Sequence, residues 1–208
     1  MNRAHPVEAA ASDQSVDAVE RCITKLLEEF IRHPFAHRVE HSLHVDLYHS
    51  LLQMPAFDQM VRIGNSPHVT RLVHKEWPSV EAVSLRDSRP RRQSYDIAVL
   101  DPKSVENSTL NDFSAGRIPA HVAVELGLDY SLKHLDGDIE KLRVNSVERG
   151  YLVHFSRKPS RQTQDVEQRI VSLRGVHVAF AHLDVAKGSF RVKGLHERDV
   201  RDQAYDPA

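Results

Sequence analysis

The fold is decided by residues 94–142, which read SYDIAVLDPKSVENSTLNDFSAGRIPAHVAVELGLDYSLKHLDGDIEKL. Two apolar runs in this stretch, SYDIAVLD and HVAVELGL, have the aliphatic and β-branched residues that favour strands. Each run carries one carboxylate, Asp96 in the first and Glu125 in the second. A carboxylate in a buried strand is unfavourable unless it is paired or binds a metal, so the two acids predict a functional site.

The rest of the chain alternates between helix-like and strand-like patterns. After the second apolar run, Leu132, Leu135, Ile139 and Leu142 recur at helical spacing, which predicts a helix over residues 132–148. The whole order is helix, helix, strand, strand, strand, helix, strand, helix, strand. It predicts an α/β fold whose central mixed sheet is flanked by helices, with one extra helix at the N-terminus.

Proline and polar segments mark the expected limits of these elements. The first helix is expected to begin at Ser15, and Pro78 is expected to end a strand over residues 68–77. Residues 101–120 have few apolar side chains and are expected to form a long loop. Further strands are predicted near residues 151–155 and 176–185, with a helix over 163–173 between them. We expect one domain over residues 15–195, a disordered tail over 1–14 and a frayed tail over 196–208.

The strand–strand–helix order with its two acids resembles the core of the restriction-endonuclease-like superfamily, called PD-(D/E)XK. In that αβββαβ core one strand brings an Asp and the next brings a Glu-x-Lys. Asp96 and Glu125 match these positions, but Gly127 stands where the lysine is expected. The run DIEKL at residues 138–142 is also similar to the helix that follows the catalytic strand in many members.

The resemblance implies that Asp96 and Glu125 hold Mg²⁺ or Mn²⁺, with a lysine that positions or activates the attacking water. Because Gly127 cannot supply that lysine, another residue is expected to do so. Lys133 and Lys141 on the following helix are the first candidates, and Lys75 on a neighbouring strand is a third. The resemblance also implies an accessory acid on the first core helix, for which Glu40 is the candidate.

Glu76 and three histidines near these elements each have two possible interpretations. Glu76 is either a further acidic ligand or a charge at a strand end that faces water. His37, His41 and His44 follow each other at helical spacing, which fits either a metal site or a solvated, nucleic-acid-facing row.

Four arginines lie between the first predicted strand and the second, which carries Asp96, in the segment LRDSRPRRQ. They are candidate phosphate contacts because the guanidinium group donates two hydrogen bonds to one anion, although a solubilising loop fits as well. The four are Arg86, Arg89, Arg91 and Arg92.

Composition limits the classes of protein to consider. The chain has 208 residues, a formal net charge of −1 and a single cysteine, Cys22, so it has neither a global basic field nor an intramolecular disulfide. No long apolar run, signal peptide, phosphate-binding loop, Rossmann fingerprint or G-x-S-x-G motif occurs. We therefore expect a cytoplasmic protein that does not bind membranes.

Two functions remain open from the sequence. The first is a metal-dependent phosphodiesterase, a nuclease whose catalytic residues are Asp96, Glu125, Glu40 and a displaced lysine, with Lys133 first in order. The second is a non-catalytic nuclease-fold module that binds nucleic acid or a protein partner. The sequence leaves open DNA or RNA as the substrate and whether the chain forms a homo-oligomer.

Overall fold

The computed structural model of the protein describes residues 6–83, 91–145, 147–158 and 161–205. The helices found there are α1 Pro6–Arg32, α2 Glu40–Leu52, α3 Pro102–Glu106, α4 Leu110–Ser114, α5 Leu132–Val144 and α6 Arg161–Val171, with a short 3-10 helix at Pro55–Phe57. The strands are β1 Val61–Arg62, β2 Val69–Thr70, β3 Val73–Val83, β4 Arg91–Leu100, β5 Ala120–Leu128, β6 Arg149–Ser156, β7 His177–Asp184, β8 Ser189–Lys193 and β9 Arg201–Ala204. No helix in this part of the chain is long and apolar enough to cross a membrane.

Strands β3 to β9 form one mixed sheet in which spatial order follows chain order. The pairs β3–β4, β4–β5, β7–β8 and β8–β9 are antiparallel, and β5–β6 and β6–β7 are parallel. Helices α5 and α6 supply the crossovers that the two parallel pairs need. The α/β class with a central mixed sheet is therefore confirmed.

Helices cover both faces of the sheet around its central strands. The Phe30 ring on α1 packs on Phe155 of β6, with ring centroids 4.6 Å apart. Successive strand residues point to opposite faces, so the adjacent His154 points to the other face. It contacts His182 there, near Glu167 of α6. Apolar side chains fill both layers, which is why β5 and β6 are apolar along nearly their whole length.

Several predicted boundaries are wrong. Helix α1 begins at Pro6 rather than Ser15, and residues 1–5 of the predicted disordered tail lie outside the described residues. Strand β3 runs past Pro78, which is tolerated because β3 is an edge strand and needs fewer ladder hydrogen bonds. The loop over residues 101–120 contains α3 and α4. Residues 201–204, expected to be frayed, form β9 against β8.

The sheet divides between β4 and β5. Their ladder runs from the Leu100–Ala120 pair to the Ile97–Val124 pair and stops there. Beyond this point β4 stays paired to β3 and β5 stays paired to β6. We call this opening the fork. Its sides are residues 94–96 of β4 and 125–128 of β5, so it lies at the carboxyl end of the parallel strands.

An ion pair ties the start of α2 to the strand ends beside the fork. The Arg157 guanidinium lies 3.1 Å from Asp129 Oδ2, and both side chains are mostly buried. Arg157 also donates to the carbonyl oxygens of His37, at 2.6 Å, and Arg38. These carbonyls immediately precede α2, so Arg157 sets the position from which Glu40 reaches the fork.

Replacing Arg157 by Met should therefore lower the free energy of unfolding by about 3 kcal/mol, because it leaves the buried Asp129 carboxylate unpaired. Urea unfolding of both proteins gives this difference. The exposed pair Arg169–Asp136, 3.0 Å apart, provides the control. Arg169→Met should cost less than about 1 kcal/mol. Equal losses in the two variants would contradict the bracing role of Arg157.

Candidate functional site

Three carboxylates lie in a row across the sheet at the mouth of the fork. In the β3–β4 register Lys75 pairs with Ile97 and Trp77 pairs with Tyr95, which puts Glu76 opposite Asp96. The last β4–β5 pair, Ile97 with Val124, puts Asp96 opposite Glu125. Like charges on opposing strand positions repel each other, so the row needs a compensating cation.

Main-chain donors of β5 hold two of the acids in place. The Leu126 N–H donates to Asp96 Oδ2 at 2.7 Å, and the Leu128 N–H donates to Glu40 Oε2 at 3.3 Å. These N–H groups alternate along β5 and lack a strand partner on that side, so carboxylates replace the missing ladder bonds. The Tyr130 hydroxyl is a further hydrogen-bond donor to Glu40. Glu40, predicted as an accessory acid, therefore lies at the fork with Asp96.

The lysine that reaches this site is Lys141, from α5. Its ammonium nitrogen lies 2.7 Å from Glu125 Oε2 and 3.0 Å from Asp138 Oδ1. It also donates to the carbonyl oxygen of Ser94, at 3.2 Å, on the β4 side of the fork. Lys133 on the same helix is exposed, and among the described contacts no ion pair joins it to these acids. Of the candidates on α5, the structure thus brings Lys141 to Glu125.

The third candidate, Lys75, lies at the other end of the row. Its nitrogen is 3.0 Å from Glu76 Oε1 and 3.4 Å from His41 Nδ1. Lysines therefore stand at both ends of the acidic row, with Asp96 between them.

Gly127 is a glycine because its surroundings leave no room for a side chain. A Cβ added there would lie 2.7 Å from Tyr130 Cδ2 and 2.8 Å from His154 Cδ2. Both contacts are far shorter than van der Waals separation. The Tyr130 ring and the His154 ring occupy the space that a lysine at this position would need.

His44 on α2 faces the same acids. Its Nε2 lies 3.5 Å from Asp96 Oδ2 and 3.6 Å from Glu40 Oε1. In the part of the chain that the structure describes, one group of three potential metal ligands brings a ligand atom from each residue within 4.8 Å of the others. That group is His44, Glu76 and Asp96.

Burial controls the electrostatics of the site. It raises the pKa values of Glu40, Asp96 and Asp138, and raises that of Glu125 furthest, where the Asp96 charge adds to it. Burial alone would lower the pKa of Lys141, but the charges of Glu125 and Asp138 raise it overall. Burial and the Lys75 charge lower the pKa of His44 to about 4, so its imidazole is neutral at pH 7.

The donor set fits a divalent cation. Buried atoms at the fork without a hydrogen-bond partner among the described residues are Glu125 Oε1, Asp138 Oδ2 and both ring nitrogens of His44. Carboxylate oxygens are the ligands of Mg²⁺ and Mn²⁺, and a neutral imidazole also binds Mn²⁺. Burial is the main cause of the raised carboxyl pKa values, and the Lys141 charge offsets it only in part for Asp96, Glu125 and Asp138.

The arginine segment has a mixed outcome. Arg86 and Arg89 lie outside the described residues, and Arg91 is the first residue of β4. Arg92 donates to the carbonyl oxygens of Ser79 and Ala115, each at 2.6 Å, and to that of Gly116. Its guanidinium is therefore used to join β3 to the loop before β5. Phosphate binding by the other three stays a prediction.

Sequence reasoning did not assign roles to Asp138 and Tyr130, and it left the roles of His44 and Glu76 open. Two signals were present in the chain: His44 follows Glu40 by four residues, and Lys141 follows Asp138 by three, so each pair shares one helix face. Tyr130 and Glu76 gave no such signal. Comparisons with protein-family models, curated proteins and solved structures found no match to this chain.

The crowding at Gly127 can be measured. Gly127→Ala should destabilise the protein by about 1–3 kcal/mol, because the new methyl group forces the Tyr130 or His154 ring to move. Gly150→Ala is the control, since a Cβ there would lie at least 3.3 Å from Leu142, and it should change stability by less than about 1 kcal/mol. In a Tyr130→Ala background the cost of Gly127→Ala should shrink. An unchanged cost would show that Tyr130 does not fill this space.

Glu125 should make stability depend on pH. A raised carboxyl pKa means that the folded protein holds the proton more tightly, which stabilises it at low pH; this stability is lost as pH rises through the raised pKa. Glu125→Gln removes the effect, so the variant should gain stability relative to the parent between about pH 5 and pH 8. Urea unfolding in the presence of a chelator at both pH values measures it. A pH-independent difference would contradict the raised pKa.

Proposed function

We propose that the protein is a divalent-metal-dependent phosphodiesterase that cleaves nucleic acid, with its active site at the fork. One observation carries the proposal: Asp96 and Glu125 lie opposite each other on adjacent strands, and the Lys141 ammonium is 2.7 Å from Glu125. Two carboxylates and a lysine are the residues expected of the restriction-endonuclease-like core. In this chain the lysine comes from α5 instead of the strand position Gly127.

The order of elements also supports the proposal. The main elements have the order of an αβββαβ core: helix α2, strands β3, β4 and β5, helix α5 and strand β6, with α1 as the extra N-terminal helix. Short elements interrupt this order, β1 and β2 after α2, and α3 and α4 after β4. Within this order, β3–β4–β5 is an antiparallel meander and β6 is parallel to β5, which brings the ends of β4 and β5 that carry Asp96 and Glu125 together.

Each residue has a defined task in this proposal. Asp96, Glu125 and Glu40 would hold the ion, which, when bound, polarises a phosphate and lowers the pKa of a water. Leu126 and Leu128 fix Asp96 and Glu40 through their N–H groups, so the carboxylates need little rearrangement to bind. Lys141 is fixed by three acceptors and keeps a positive charge beside Glu125, where it would stabilise negative charge on a phosphate oxygen.

One observation favours the second function, a nuclease fold kept for binding. Glu125 is only 1% exposed, and Lys141 already compensates it together with Asp138. A closed ion pair of this kind also stabilises a fold without any catalysis. The two functions differ in whether the chain cuts a phosphodiester bond.

The test is cleavage of labelled single- and double-stranded DNA and RNA with Mg²⁺ or Mn²⁺. We expect metal-dependent cleavage that Asp96→Asn and Glu125→Gln each abolish. Lys141→Ala should lower the rate by roughly 100-fold, about 3 kcal/mol of transition-state stabilisation. Lys133→Ala on the same helix is the matched control and should leave the rate unchanged. Circular dichroism checks that every variant is folded.

Absence of cleavage of all four substrates by the unmutated protein would end the catalytic proposal and leave the binding function. Full activity in Lys141→Ala would transfer the lysine role to Lys75, at the other end of the acidic row. Lys75→Ala would then test that role directly.

A further inference from the structure

Three unfavourable features coincide at the Asp96 end of the fork, where no lysine forms an ion pair with Asp96 among the described residues. The first is His44, which is 4% exposed and whose ring nitrogens make no hydrogen bond of ordinary geometry among the described residues, since a weak contact with the Leu126 backbone offsets its burial only in part. A buried polar group without a partner is costly, and native proteins rarely keep one without a reason. His44 Nε2 points at Asp96 Oδ2, 3.5 Å away.

The second feature is the backbone of Glu76. It has φ of 56° inside β3, a left-handed conformation that is unfavourable for any residue except glycine. The flanking residues Lys75 and Trp77 keep the regular register with β4, so the distortion is confined to Glu76. Backbone strain at a single polar residue points to a constraint on where its side chain lies.

The third feature is the placement of Glu76 and Asp96 on opposing strand positions, with His44 completing the group within 4.8 Å. Around a first-row divalent ion at about 2.1 Å from each ligand, neighbouring ligand atoms are separated by roughly 3–4 Å. The three side chains therefore need only small shifts to bind one ion. Glu76 is 59% exposed, which leaves an entry route from solvent.

We infer that His44, Glu76 and Asp96 form a cation site that takes a first-row transition metal of the Mn²⁺ class in preference to Mg²⁺. The imidazole decides the selectivity, because Mg²⁺ favours oxygen ligands in an octahedral shell whereas Mn²⁺, Co²⁺ and Zn²⁺ accept nitrogen. Lys75 pairs with Oε1 of Glu76, and the carboxylate has a second oxygen for the ion. This inference rests on the proposed function only in Asp96, the one ligand that the site shares with the proposed active site, and metal binding by these residues does not require cleavage.

Titration calorimetry of the full chain, treated with a chelator and then dialysed, tests the site with Mn²⁺ and Mg²⁺ alone. We expect one Mn²⁺ site at least ten times tighter than any Mg²⁺ site. Electron spin echo spectroscopy of the Mn²⁺ complex should show ¹⁴N modulation from a coordinated imidazole. His44→Ala should remove this modulation and weaken Mn²⁺ binding by tenfold or more. His49→Ala, an exposed histidine on the same helix, should leave both unchanged.

Because His44 is buried, a second variant guards against loss of folding. Glu76→Gly removes a ligand at an exposed position where glycine relieves the strain, so it should unfold at the same temperature as the parent or higher. It should nevertheless weaken Mn²⁺ binding by tenfold or more. Full Mn²⁺ affinity in Glu76→Gly, absence of ¹⁴N modulation in the parent, or equal Mg²⁺ and Mn²⁺ affinities would each overturn the inference.

These outcomes are separable from the failure of the proposed function. Nitrogen-coordinated Mn²⁺ without cleavage of any nucleic acid would refute the nuclease and keep the metal site. Cleavage with Mg²⁺ that survives in His44→Ala, without ¹⁴N modulation in the parent, would do the reverse.

Discussion

The end of the β4–β5 ladder at the Ile97–Val124 pair is the constraint on which the candidate site depends. Past this pair, main-chain groups that a strand would satisfy have no strand partner, and buried peptide groups require one. Side chains take over: Asp96 accepts from Leu126 N–H, Glu40 accepts from Leu128 N–H, and Lys141 donates to Ser94 oxygen. Charged residues are thus tolerated between apolar strands because they complete the backbone hydrogen bonding there. The same bonds fix the charged atoms in space. The side chains at the fork therefore complete the backbone hydrogen bonding and also form a preorganised polar site.

The compensation of charge around the fork is uneven. Lys141 lies within 3.0 Å of both Glu125 and Asp138, so the negative charge on the α5 side faces a buried cation. At the other end, Lys75 pairs with Glu76, whereas Asp96 has a neutral imidazole, a main-chain N–H and two neighbouring acids around it. Burial raises the pKa of Asp96 because it removes water from the carboxylate, and the Leu126 N–H and the Lys141 charge offset this only in part. A divalent cation next to Asp96 would remove that imbalance.

Sequence patterns predicted the elements whose apolar residues are buried at regular spacing. They missed features that depend on backbone pairing, helix rotation or local backbone conformation. Period-two apolar runs identified β4 and β5, and with them Asp96 and Glu125, because a buried strand shows its acids as exceptions. Strand β9, RDQA, has no apolar pattern, since it is a polar edge strand that backbone pairing with β8 and ion pairs of Arg201 and Asp202 hold in place. The sequence could not predict whether Lys141 or Lys133 reaches the acids, because both are lysines on the same helix. The outcome depends on how α5 is rotated about its axis relative to the fork. The left-handed backbone conformation at Glu76 could not be predicted from the sequence, because such a conformation is usually predicted from a glycine and this position holds a glutamate.

The glycine at position 127 follows from how the two sides of the fork are connected. Its space is filled by the Tyr130 ring, and the Tyr130 hydroxyl bonds to Glu40, so the aromatic residue links the end of β5 to the start of α2. A lysine on the strand would displace this link, and with it the acid that accepts from Leu128. Supplying the lysine from α5 keeps the link and places the ammonium on the far side of Glu125, where it compensates buried acids. The exposed and under-compensated end of the row, at Glu76 and Asp96, is then the side from which a cation and an anionic substrate would approach.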